Sequence, residues 1–143
     1  LHVRSRRQRQ MCIRDRDNEG AQPVDEPVIA NAPAAYFSTL PIKKMAAQLR
    51  AFAFPVAISQ TAGTFVCNQV FYGLQHMLAH TQTPSGFVHV PLLPAQVAAR
   101  SGASLASMST ETLSQALLCA LSVLVHHVQE GGADAKIGMG ANH

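Results

Sequence analysis

Pro55-Val56-Ala57-Ile58-Ser59, Thr61-Ala62-Gly63-Thr64, Val66 to Ala79 and Gly86-Phe87-Val88-His89-Val90-Pro91 follow one another along the chain, and their order decides the fold. The first run is short, apolar and bounded by polar residues, as a buried strand is. The second combines hydroxyls with a glycine and reads as a tight turn that caps a helix. Val66, Val70, Leu74, Met77 and Leu78 then form an apolar stripe at helical spacing to about Ala79. Residues 81–85 are a loop, and the last run is a second short strand closed by Pro91. Strand, helix and strand together have the length of a parallel β-α-β crossover.

That unit brings chemistry with it. Cys67 falls in the first turn of the helix, and His89 lies near the end of the strand that follows. In a parallel sheet both emerge at the edge where open α/β sheets hold their sites. Neighbouring strands lie about 4.8 Å apart, so a thiol–imidazole contact is expected if the two strands pair. A helix N-terminus favours thiolate, and its first N–H groups can receive an oxyanion. A cysteine and a histidine in an apolar domain also serve simply as packing residues. Spacing alone leaves both readings open.

On the N-terminal side, residues 17–33 are polar and turn-rich and lead into an extended piece, Ala35 to Thr39. Pro41 suits a first helical turn, and Ile42, Met45, Ala46 and Leu49 predict an amphipathic helix over 42–52. On the C-terminal side, a Pro- and Ser-rich connection precedes a helix capped by Ser109 or Thr110. Its apolar face is Leu113, Leu117, Ala120, Leu121, Leu124 and Val128, and it ends before Gly131-Gly132. The absence of charge from Thr112 to Gln129 raises a membrane span. Ser114, Gln115, Ser122 and two histidines favour a core-packing helix instead, and no membrane partner is expected. The glycine-rich tail after residue 130 is expected to fray.

The 143 residues suffice for one domain, and 48% hydrophobic content argues for a folded chain. The net charge of +3 suggests nucleic acid until the charges are located. Residues 1–16 hold six arginines and one acid; the remainder has five basic and seven acidic residues, a net −2. Arg6 to Asp15 back-translates to the read-through of a transposase adapter used for sequencing libraries, so residues 1–16 are set aside as non-native. The biological alternative is a basic nucleic-acid-binding arm; no nucleic-acid partner is expected. Residues 17–143 are expected to be the C-terminal part of a single domain. Of three cysteines, Cys12 lies in the arginine-rich run and Cys119 reads as a buried, inert thiol. With no C-x-x-C pair, a reducing, cytoplasmic setting is expected.

Thr61-Ala62-Gly63-Thr64-Phe65-Val66-Cys67-Asn68 closely resembles the nucleophile motif of the pyroglutamyl peptidase I (pyrrolidone-carboxylate peptidase) family. Three further segments agree in order: Asp17-Asn18-Glu19-Gly20 with Gln22-Pro23; Ala32 to Pro41; and Gly86 to Pro91 with Leu93-Pro94-Ala95-Gln96. The resemblance implies a three-layer α/β/α sandwich of the phosphorylase/hydrolase-like kind, truncated at its N-terminus. It implies a cysteine exopeptidase in which Cys67 attacks the amide carbonyl after an N-terminal 5-oxoproline and His89 moves the proton. Phe65 would pack on the lactam ring, or serve only as core. Peptides with N-terminal pyroglutamate are the implied partners, and a homo-oligomer, a tetramer, the implied assembly; no cofactor or metal is expected.

The departures matter equally. The family's Gly-rich, Phe-containing loop and the glutamate that orients the histidine have no counterpart in residues 17–143. Asp25 and Glu26 fall downstream of that glutamate's place, and Arg14, which aligns with a family arginine, belongs to the segment set aside. The chain is therefore expected to be inactive as it stands, an incomplete gene product or a partner surface. An unrelated α/β binding module is the remaining alternative. His76 and His80 (i, i+4) read as solvated rather than metal-binding, His126 and His127 point apart, and Lys43-Lys44 reads as a solvated pair.

Overall fold

The computed structural model describes residues 2–4 (as backbone), 20, 27–63, 66–100 and 105–138. Among the described residues, seven elements follow in order: β1 His2–Arg4, α1 Ile42–Ala51, β2 Ala57–Ser59, α2 Val66–Leu78, β3 Phe87–His89, α3 Pro94–Ala98 and α4 Thr110–Glu130. The fold is α/β, as expected. The strand–helix–strand reading of residues 55–90 holds, with shorter strands. The pairing condition does not: the three-stranded sheet runs β2-β1-β3, so β1 lies between the two strands of the crossover. The inserted strand comes from the segment set aside on sequence grounds, where Val3 sits just ahead of the arginine run.

The chain divides into two compact units. Unit 1 takes residues 1–3, 41–57 and 88–139, and unit 2 takes 4–40, 58–87 and 140–143. In unit 1, α1 packs on α4. The expected face of α1 is the buried one: Ile42, Met45, Ala46 and Leu49 are all below 9% exposed. Opposite it, α4 buries only Ala116 and Ala120, small residues that let two helix axes approach closely.

The expected apolar face of α4 needs correcting. Ala120 is buried and Leu113, Leu117 and Leu124 are half-buried, but Leu121 and Val128 are exposed, as are Leu118 and Val125. The helix is apolar on more sides than one partner helix can cover, and by length and composition alone it could cross a membrane. Cys119, expected to be buried, is half-buried.

Helix ends in unit 1 are held as their residues dictate. The Ser109 hydroxyl accepts from Thr112 N–H at 3.1 Å, which settles the choice of N-cap, and Gly131 stops α4 at φ +71°. At the end of α1, Ala53 N–H donates to Arg50 O and Phe54 N–H to Leu49 O, both at 2.9 Å. These are the paired bonds of a Schellman ending, but with a non-glycine residue in the left-handed region, Ala53 at φ +58°. The start of α1 has no local side-chain cap. Instead the Asp134 carboxylate accepts from Lys43 N–H and Lys44 N–H, each at 3.0 Å. The tail expected to fray is thus pinned, because α1 offers unmet N–H groups that an anion satisfies. Lys44 is no simple solvated residue either: its Nζ lies 3.3 Å from His127 Nδ1.

Unit 2 is organised around α2. Its buried residues are Asn68, Phe71, Tyr72 and Gln75, spaced i, i+3, i+4, i+7. The stripe read from hydropathy turns the other way: Val66, Val70, Leu74 and Met77 are exposed and Leu78 is half-buried. The two aromatics carry more burial area than the valines they displace, and the amides ride with them. Tyr72 donates its hydroxyl to Pro33 O and meets Tyr36 edge-on at 4.9 Å between centroids. Burial, and secondarily Tyr36, raises the Tyr72 pKa. Ser85 O accepts from Thr39 N–H (2.9 Å) and from the hydroxyls of Ser38 (3.1 Å) and Thr39 (3.3 Å). Gly86 follows there because a Cβ would collide with Ser38 Oγ and Leu40 Cδ1.

Candidate functional site

The segment leading to Cys67 is held by its own hydroxyls. After β2, the Ser59 hydroxyl donates to Thr61 O at 2.9 Å and accepts from Thr61 N–H at 3.4 Å. Thr61 Oγ1 accepts from Gly63 N–H at 3.1 Å, and Gly63 takes φ +86°, a conformation that favours glycine. These side-chain-to-backbone bonds are what the Ser-x-Thr-x-Gly order allows. α2 then begins at Val66, and Cys67 is its second residue, half-buried, with its neighbour Asn68 only 2% exposed. The expected first-turn position of Cys67 is therefore observed. Phe65 lies outside the described residues, as do Cys12, Arg14, Asp25 and Glu26.

His89 is the last residue of β3 and half-buried; it belongs to unit 1, whereas Cys67 belongs to unit 2. The chain after it is secured within unit 1. Met108 N–H donates to Leu92 O at 2.9 Å, and Leu93 N–H to Gln96 Oε1 at 2.8 Å at the start of α3. The Leu-Pro-Ala-Gln segment thus earns its place by closing a short helix immediately downstream of the histidine.

A family profile, pyroglutamyl peptidase, matches residues 8–127, a span that holds both Cys67 and His89. The chain belongs to the pyroglutamyl peptidase family. Among relatives, the pyrrolidone-carboxylate peptidase of Klebsiella pneumoniae is 48% identical over 128 residues, covering 89% of this chain and 57% of its own length. That of Cupriavidus pinatubonensis is 50% identical over 126 residues, covering 81% of this chain and 56% of its own. Among solved structures, pyroglutamyl peptidase I from Bacillus amyloliquefaciens superposes with TM-score 0.84 at 34% identity, over 96% of this chain and 63% of that one. The Thermococcus litoralis enzyme gives 0.88 at 32% identity, over 96% and 65%. The chain thus spans a little over half the length of the curated family members it matches.

Other side chains singled out earlier take structural posts. His76 is not merely solvated: its Nδ1 lies 2.7 Å from the Tyr36 hydroxyl, tying the 33–40 segment to α2. His80 is exposed. His126 pairs with Glu130 at 3.2 Å on the surface, where such a pair contributes little. Sequence reasoning missed Asn68, Gln75 and Asp134. The signal for the first two was the 68-71-72-75 spacing, which a hydropathy count overlooks because amides score as polar. Nothing local marks Asp134, whose partners are about ninety residues away.

Proposed function

We propose that this chain carries the nucleophile and the base of a cysteine exopeptidase that removes N-terminal pyroglutamate from peptides. One observation carries the reading: a half-buried cysteine opens α2 behind a glycine-and-hydroxyl turn, inside a family match that also contains His89. In the proposed reaction the Cys67 sulfur bonds to the carbonyl carbon that follows the lactam ring, and His89 takes the thiol proton. N–H groups at the start of α2 receive the oxyanion. The carbon–nitrogen bond then breaks, the leaving amine takes its proton from His89, and water releases pyroglutamate from the thioester. Phe65 is proposed to pack against the lactam. The relatives' shared name supports the substrate class. The homo-tetramer and the reducing, cytoplasmic compartment stay proposals of the same kind.

A second reading has its own support. The chain spans 57% of the length of the Klebsiella relative. We propose that the chain alone does not turn over. A chromogenic pyroglutamyl amide separates the two. Hydrolysis abolished by Cys67→Ala supports the catalytic reading for this chain. Rapid alkylation at Cys67 without hydrolysis supports the non-catalytic fragment. Hydrolysis that survives Cys67→Ala would remove Cys67 from the mechanism.

A further inference from the structure

We propose that unit 2 holds a second binding site, for uncharged peptide backbone, in the cavity where the end of α2 meets residues 36–39 and the loop 81–85. The cavity measures about 420 Å³, within the range of small-ligand sites. Among the described residues no charged side chain lines it; Tyr36, Phe37, Gln75, Leu78, Thr83 and Pro84 are among its walls.

Gln75 carries the inference. It is 4% exposed, lines the cavity, and its Nε2 has no hydrogen-bond partner among the described residues. A buried donor left unmet is costly and uncommon. The terminal torsion of glutamine is soft, so the amide can turn toward the cavity and give that hydrogen bond to an acceptor placed there. A neutral acceptor is favoured, because a carboxylate or phosphate would find no counter-charge among the described walls. A backbone carbonyl meets both conditions.

The rest of the cavity suits an extended peptide. Phe37 is 58% exposed at its wall and offers an apolar face to a side chain. The surrounding loop is braced by its own bonds: the Thr81 hydroxyl donates to Leu78 O (2.9 Å) and accepts from Thr83 N–H (3.3 Å), and Ser85 N–H donates to Thr39 Oγ1 (2.7 Å). The walls are therefore preformed. Cys67 lies eight residues before Gln75 on α2, about 12 Å along the axis at 1.5 Å each, so this site is separate from the thiol and does not depend on the peptidase reading.

The test is titration of the isotopically labelled full chain with acetyl-trialanine amide, watching the Gln75 side-chain NH2 by NMR. A saturable shift of that pair is expected, with acetate and inorganic phosphate producing none. Gln75→Met is expected to weaken binding at least tenfold, with melting temperature unchanged or raised because a buried unmet donor is gone. Phe37→Ala, at an exposed position, is expected to weaken binding about threefold with the Gln75 shift retained at saturation. If Gln75→Met fails to fold, the Gln75 shift in the parent and in Phe37→Ala decides the matter. No shift with the peptide, an equal shift with acetate, or undiminished binding by folded Gln75→Met would overturn the proposal.

Discussion

α1 and α2 are both short amphipathic helices, yet one buries the face its hydropathy pattern names and the other buries a different one. In α1 the apolar residues Ile42, Met45, Ala46 and Leu49 are also the buried ones. In α2 the aliphatic residues Val66, Val70, Leu74 and Met77 stay exposed, while Phe71 and Tyr72 go in and take Asn68 and Gln75 with them. The difference teaches that periodicity identifies a helix but not the winning stripe when a helix has two. Where aliphatics and aromatics compete, the larger burial area of the aromatics decides.

The sharpest way to break that comparison is truncation on the two faces of α2. Phe71→Ala should cost about 3–5 kcal/mol, read by denaturant unfolding, whereas Met77→Ala, 79% exposed, should stay within about 0.5 kcal/mol. The reverse ranking would restore the hydropathy reading of α2. Next in size is Gly86→Ala, whose methyl meets Ser38 and Leu40; overpacking of this kind costs about 1–3 kcal/mol.

In unit 1, Asp134→Ala strips two N–H groups of α1 of their acceptor and should cost about 1 kcal/mol, with faster amide exchange at Lys43 and Lys44. Ala53→Gly should go the other way. It relieves a left-handed alanine and, against the added freedom of the unfolded chain, should gain about 0.5–1 kcal/mol. The smallest effect is one of pH. The Tyr72 pKa is raised in the fold by burial and by Tyr36, so the unfolded chain loses that proton first. Stability should be intact below about pH 10, the ordinary tyrosine value, and fall as pH rises through the folded pKa. Tyr72→Phe should flatten that alkaline slope in a series of melts.

The helix-start position of Cys67 and the strand-end position of His89 are legible in the sequence. The Ser-x-Thr-x-Gly turn and the first-turn cysteine are local features, set by hydroxyls and a glycine within a few residues of one another, and the histidine strand is bounded by its own Gly86 and Pro91. Strand order was not legible. Pairing β1 between β2 and β3 is a non-local event, and the three residues that do it sit beside an arginine run that discouraged any structural reading. Asp134 was equally invisible, since a cap from about ninety residues away leaves no trace in local spacing.

The amino-acid order of this chain determined its helices, its turn chemistry and its family, because propensities, caps and motifs act within a few residues. Only the tertiary structure decided which face of α2 is buried, what closes the start of α1, and that Gln75 lines a cavity with an unmet donor. Those outcomes depend on the surfaces that each face meets, and those surfaces come from distant parts of the chain.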